Sequence, residues 1–252
     1  MTTRSLLFSL MLMAMCLTAG AKTYLVSIGV SDYSRYPYGA RSLRLPIQDA
    51  KTVADIYSIN RQRKKTNGSI DYVLLLDSLA TKERIVRAMN KIYCQADEED
   101  IVVFFFSGHG YNGGFCAYDG DVDYSDIRKA MAKSKSRHKM IFADACRSGG
   151  LRGDRVRTED SNDSTAKKAN VMLLLSSRTN ENSIERWDMK NGFFTEYLRK
   201  GLSGNADADR DRTITAKELF DFVSKGVAEM SGDKQHPVMW GNFEDSMPVM
   251  KW

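Results

Sequence analysis

Five short apolar runs, residues 24–30, 72–76, 101–106, 140–143 and 171–175, interrupted only by Ser27 and Gly29 in the first, constrain this chain more than any other feature. Unbroken apolar runs suit strands buried on both faces of a parallel sheet, whereas a strand with one wet face alternates. Stretches of helical period separate them. Ala50, Val53, Ala54 and Tyr57 form one stripe and Ile85, Ala88, Met89 and Ile92 another, with Ile127, Ala130 and Met131 marking a shorter helix. Strand and helix therefore alternate, which predicts an α/β sandwich with helices on both faces of a mostly parallel sheet. Beyond the fifth run come Phe194, Tyr197 and Leu198. A further helix is expected to start at a Thr215/Glu218 capping box and to carry Leu219, Phe222 and Val223.

The 252 residues can bury a full core without disulfide staples. A net charge of +5, with no basic block interleaved with aromatics, gives no signal for nucleic acid. Residues 1–21 read as an export signal. Arg4 is followed by an apolar run over 6–17 broken only by Ser9, and Ala19-Gly20-Ala21 offers a cleavage site. That run is shorter than the roughly 20 residues needed to cross a bilayer, so no membrane span is expected after signal removal. The expected mature protein starts near Lys22 and is periplasmic or secreted. Cys16 suggests a lipoprotein, but Met15 before it is bulky for such a site.

Three cysteines then remain, an odd number. Cys94 and Cys116 read as small buried hydrophobes, a disulfide between them being the lesser alternative. Cys146 is different. The third apolar run leads into Ser107-Gly108-His109-Gly110 and the fourth into Asp144-Ala145-Cys146-Arg147-Ser148-Gly149-Gly150. Ligands of open α/β sheets bind beyond the strands' carboxyl ends, so an imidazole and a thiol are expected at one sheet edge. A neighbouring imidazole lowers a thiol's pKa from about 8.5 and makes it a nucleophile. The N–H groups of Gly110 and Cys146 could receive the oxyanion. His138 and His236 read as turn residues.

Taken with the strand ending Gly29-Val30, Asp32-Tyr33, Gln48-Asp49-Ala50 and Ser176-Ser177, these two motifs resemble the caspase-like cysteine peptidases, in particular the metacaspase-like branch found in microbes. Arg147 departs from that branch, which commonly has histidine there. The resemblance covers nearly all of the mature chain. It implies a caspase-type fold, His109 as general base, Cys146 as nucleophile, and Gly110 and Cys146 at the oxyanion hole. It divides residues 22–252 into a large-subunit region of about 22–150, a linker of about 151–170 and a small-subunit region of about 171–252. Asp144, two residues before the nucleophile, favours a cation in the pocket for the side chain before the scissile bond. By resemblance Asp49 joins it as an acidic floor with Ser107 beside them, and Glu181 or Glu185 could add to it.

The expected activity is thus endopeptidase cleavage of protein or peptide substrates after Arg or Lys. The charged linker, with Arg152, Arg155, Arg157, Lys167 and Lys168, is a candidate for self-cleavage. A catalytically silent binding or regulatory module on the same fold is the alternative. A serine hydrolase is disfavoured because no G-x-S-x-G elbow occurs. No cofactor is required for thiol chemistry. Calcium is a candidate, because Asp207, Asp209, Asp211, Thr213, Thr215 and Glu218 fall at positions 1, 3, 5, 7, 9 and 12 of an EF-hand-like loop. Arg212 stands where such a loop wants glycine, and Gly201 and Gly204 argue against a preceding helix. The competing reading is an acidic helix N-terminus capped by Thr215.

Overall fold

Alternating side chains on a buried strand must find apolar partners on both sides, and the third run shows how this chain meets that demand. In β3 (Ile101–Gly108) Val102, Phe104 and Phe106 enter one core while Ile101, Val103 and Phe105 enter a second on the opposite face. The structure, a computed structural model, describes residues 21–62, 69–111, 113–145, 171–177 and 188–251. Its six-stranded sheet runs in the order β10–β8–β7–β3–β1–β2. Here β1 is Thr23–Gly29, β2 Ile70–Leu76, β7 His138–Ala145, β8 Val171–Leu175 and β10 Val238–Gly241. All neighbours pair in parallel except β10, which lies antiparallel along β8.

The expected mostly parallel α/β sandwich is therefore the fold. All five apolar runs are strands, longer than the apolar letters alone suggested for β3 and β7. The antiparallel edge β10 had no sequence signal. Nor had two small sheets, one of β4 (Gly110–Tyr111), β5 (Gly114–Cys116) and β6 (Asp121–Asp123), the other of β9 (Thr213–Thr215) and β11 (Pro248–Lys251).

Helices cover the sheet as their stripes require. On one face lie α2 (Lys82–Tyr93), burying Ile85, Ala88, Met89 and Ile92, and α3 (Tyr124–Ala132), burying Ile127, Ala130 and Met131. On the other lie α1 (Pro46–Gln62), with Ala50, Val53, Ala54 and Tyr57 buried, α4 (Phe193–Lys200) and α5 (Ala216–Ser231). Thr81 caps α2 by accepting from the Arg84 N–H. Thr215 and Glu218 form the expected capping box on α5, worth about 1 kcal/mol.

Three expectations need correction. Cys94 is exposed rather than buried, because it falls at the C-terminal cap of α2; no disulfide joins it to the buried Cys116, and both are free. His138 is the first residue of β7, not a turn residue. A helix does precede the acidic loop at 207, since α4 continues through a π-helical turn, Gly201–Asn205. Gly201 serves close packing there: a Cβ on it would lie 2.8 Å from Leu219 Cδ1.

The active edge also depends on tight backbone contact. A Cβ on Gly29, the last residue of β1, would stand 2.3 Å from the carbonyl oxygen of Pro46, where α1 begins. Because α1 carries Asp49, Gly29→Ala is expected to cost about 1–3 kcal/mol. At roughly 2–4 °C per kcal/mol for a chain of this size, calorimetry should show a clear fall in Tm.

Candidate active site

Strand register builds the site. Ser107 of β3 is the Cα partner of Asp144 of β7, and the next pair is Gly108 with Ala145. In β7 Ile141, Ala143 and Ala145 belong to the core under α2 and α3, while Met140 and Phe142 belong to the other, so Asp144 faces α1 and α4. Ser107 faces the same way. The first turn of α1 brings Asp49 to meet them: the Ser107 hydroxyl donates to Asp49 Oδ2 at 2.9 Å. Asp49 Oδ1 accepts from Asn191 Nδ2 at 2.9 Å and the Gly192 N–H at 3.1 Å. Asp144 Oδ2 accepts from the Thr195 hydroxyl at 2.8 Å and the Thr195 N–H at 3.2 Å, in the first turn of α4.

Both acids are nearly inaccessible, Asp49 at 2% and Asp144 at 6% exposure. Burial, and then the negative charge of Asp144, push the Asp49 carboxyl up to about 8, against the opposing effect of its Asn191, Ser107 and Gly192 donors. Those donors are neutral. Gly192 is required by proximity, since a Cβ there would lie 2.5 Å from Asp144 Oδ2. Asn191, Gly192 and Thr195 were missed by sequence reasoning, being more than 140 residues from Asp49 or on a separate helix from Asp144.

His109 follows directly on the strand end. Alternation stops at Gly108, whose φ of +153° favours glycine and whose Cβ would collide with the Tyr33 hydroxyl at 2.4 Å. The His109 ring then lies against Tyr33, centroids 4.6 Å apart. Its backbone N–H donates to the Tyr33 hydroxyl at 2.6 Å, and that hydroxyl donates to the Cys116 carbonyl at 3.3 Å. His109 Nε2 lies 2.7 Å from the carbonyl oxygen of Arg41. A carbonyl can only accept, so Nε2 carries the proton of the neutral ring and Nδ1 keeps the lone pair of a base. Gly110 opens β4 opposite Phe115.

Cys146 is the residue after Ala145 and lies outside the described residues, as do Arg147, Glu181, Glu185, the 151–170 linker and the leader up to residue 20. Among the described residues, the site thus comprises a half-buried imidazole with a fixed tautomer beside a buried acidic pair on one sheet edge.

The sequence matches the caspase domain family over residues 24–247. The chain belongs to the caspase family. Among solved structures, a protein from Geobacter sulfurreducens is 18% identical and superimposes with a TM-score of 0.60, over 89% of this chain and 94% of that one, a likeness of fold. No curated protein matches the sequence. Family and fold make this a caspase-like cysteine peptidase domain, whose expected substrates are proteins. No helix among the described residues is long and apolar enough to cross a membrane.

The acidic loop lies apart from this site. Ligand atoms of Asp207, Asp209 and Asp211 come within 4.8 Å of one another. Asp209 and Asp211 accept from the N–H groups of Asp211 and Thr213, and Arg212 adopts a φ of +70° in the glycine position. Glu218, the expected bidentate ligand, is engaged: Oε1 accepts from the Ala208 N–H and Oε2 from Thr215. The caspase-domain loop therefore provides three clustered carboxylates and a capping box.

Tyr33 holds His109 through its ring and its hydroxyl. Tyr33→Phe keeps the ring against His109 but removes the acceptor of its N–H. The expected result is a fall in kcat of about fivefold or more with KM little changed, beside a Tm lower by a few degrees, since each hydrogen bond lost is worth about 1 kcal/mol. Steady-state kinetics beside thermal unfolding checks it.

Proposed function

We propose that this caspase-family domain is a cysteine endopeptidase of the metacaspase-like branch that cuts after Arg or Lys. The observation that carries this reading is the Gly108–Ala145 pairing in parallel strands. It leaves His109 and Cys146 each one residue beyond a register pair on neighbouring strands. Consecutive Cα atoms are about 3.8 Å apart, so both residues are attached directly to one register pair.

In the proposed reaction His109 Nδ1 takes the Cys146 proton as sulfur attacks the carbonyl carbon. The oxyanion is received at the N–H groups of Gly110 and Cys146, and the imidazolium gives its proton to the leaving amine as the C–N bond breaks. Water, deprotonated by the same nitrogen, then releases the acyl group. The Arg41 carbonyl holds the productive tautomer, which supplies the orienting role that a third acidic residue fills elsewhere.

The preference for Arg or Lys is supported by Asp49 and Asp144, a buried acidic pair whose Asp49 member is held by neutral donors only. A cationic side chain above them would relieve the repulsion that raises Asp49. The reading extends to export of the chain, self-cleavage within 151–170 and calcium at Asp207, Asp209 and Asp211. A silent binding module is the rival.

Arg- and Lys-ended reporter peptides, given to the wild type and to Cys146→Ala with and without calcium and a thiol alkylator, test these statements. Expected are turnover and alkylation by the wild type alone, linker cleavage by the wild type alone, and a calcium-dependent rise in Tm that Asp209→Asn and Asp211→Asn together abolish. No turnover and no labelling of Cys146 would favour the binding module.

The acidic pair gives a signed pH dependence. The Asp49 carboxyl titrates higher in the fold than in the unfolded chain, so its contribution to stability is full below about pH 4 and is lost as pH rises through about 8. Binding of a cation runs the other way, because it expels the proton. The inhibition constant of benzamidine is expected to fall tenfold or more between about pH 6 and about pH 9. Asp144→Asn preserves an acceptor for Thr195, weakens benzamidine binding at every pH and moves the remaining pH dependence to lower pH, because Asp49 then ionises without a like charge beside it. A pH-independent inhibition constant would remove the pair from the binding site.

A further inference from the structure

We propose that Tyr38, standing on Tyr36, receives the substrate residues that follow the scissile bond and selects a large apolar side chain there. This rests on the peptidase reading above and adds a specificity surface to it.

The direction of the substrate follows from the proton. Nε2 of His109 is committed to Arg41, so the nitrogen that serves the reaction is Nδ1. To complete acyl transfer it must protonate the leaving amine, and that amine belongs to the residue after the cut. The following residues therefore run past His109. The residue before the cut must sit over the acidic pair, which faces α1 and α4. The aromatic side chains beside His109 lie on the other face: Tyr33 is buried with Phe106, Phe115 and Cys116, and Tyr36 packs against the same core. A peptide anchored over Asp49 and Asp144 that crosses the imidazole thus leaves the sheet edge across the loop 31–45.

That loop presents a continuous aromatic path. Tyr33 meets His109 at 4.6 Å between centroids, Tyr36 meets Tyr33 edge-on at 5.9 Å, and Tyr38 meets Tyr36 edge-on at 5.6 Å. Its inner members are fixed. The Tyr36 hydroxyl donates to Asp121 Oδ1 at 2.6 Å, and the loop start is held because the N–H groups of Ser31 and Asp32 donate to Asp77 Oδ1 at 2.7 and 2.9 Å. Backbone bonds from Tyr36 to Tyr33, from Gly39 to Tyr36 and from Leu43 to Ser31 close it on itself. Tyr38 at its tip is 77% exposed, the most exposed large hydrophobic side chain among the described residues. A flat ring on a braced loop has little conformational freedom left to lose on contact. It offers an apolar or aromatic side chain an edge-to-face or offset partner.

Quenched-fluorescence peptides with a single Arg and either Phe or Gly at each of the two positions after it test the surface. The readout is the ratio of kcat/KM for Phe over Gly in one enzyme, which is independent of how much enzyme is active. Wild type is expected to prefer Phe by about tenfold, Tyr38→Ala to bring the ratio near unity, and Tyr38→Phe to retain it. A ratio near unity in the wild type, or one unaltered in Tyr38→Ala, overturns the proposal. An Arg–aminocoumarin substrate, which has no amino acid after the cut, separates the two failures. Wild-type turnover of it without a Phe preference refutes the surface alone, and no turnover of either substrate refutes the peptidase reading and the surface with it.

Discussion

The parallel pairing of β3 with β7 fixes everything at the active edge. One register places Ser107 opposite Asp144 and Gly108 opposite Ala145. Because side chains alternate, a slip by one residue would send Asp144 toward the core under α2 and α3, among Ile141 and Phe106, and would separate it from Asp49. The register is held by burial on both faces. Phe104 and Phe106 on one side and Val103 and Phe105 on the other are all fully inaccessible, so no shifted pairing buries them as well.

The same edge carries a cost. Two carboxylic acids buried close enough to repel are destabilising, and burial alone raises the Asp49 carboxyl. The fold offsets part of this with the N-terminal turn of α4, whose first residues send N–H and side-chain donors to both acids, and with glycine at 192, which lets the backbone come close enough to do so. What remains is a site satisfied in hydrogen bonds in which Asp49 is held toward its protonated form. Neutral residues of the same shape would make a more stable junction between α1, β7 and α4. A buried like-charge pair of this kind at a strand edge is the feature on which the proposed preference for a cationic side chain rests.

How far the sequence disclosed this depends on the kind of group concerned. Strands buried on both faces leave apolar letters with little interruption, so β1, β3, β7 and β8 were legible, and the half-buried edge strand β2 carries a similar run. The edge strand β10 offers only three apolar letters, Val238, Met239 and Trp240, each half-buried against one of the two cores, too short a run to be read as a strand. The two motifs disclosed His109, Asp144 and, by resemblance, Asp49 and Ser107, because side-chain chemistry needs particular letters. The groups that hold them are of another kind. The Arg41 carbonyl and the Gly192 N–H belong to main chain, which any residue supplies, and Asn191 and Thr195 matter only through a contact across the fold. Two local rules also lost to context. Gly201 reads as a helix breaker yet is needed where α4 approaches Leu219 of α5, and Cys94, of a type usually buried, falls at an exposed helix end.

The state of the His109 imidazole is consequently set by a loop distant in sequence. Nδ1 is the basic atom because Nε2 is held by Arg41, and Arg41 is where it is because the loop 31–45 is closed by Leu43 on Ser31 and pinned to Asp77 at the end of β2. Tyr33, from the same loop, supports the ring from beneath and accepts from its backbone N–H. The loop therefore sets the tautomer, orientation and backbone position of His109 together, while on the opposite face α4 sets the acidic pair. The strands bring the two halves within one peptide's reach. A sheet edge assembled in this way loses its geometry when either half is loosened, even with both strands intact.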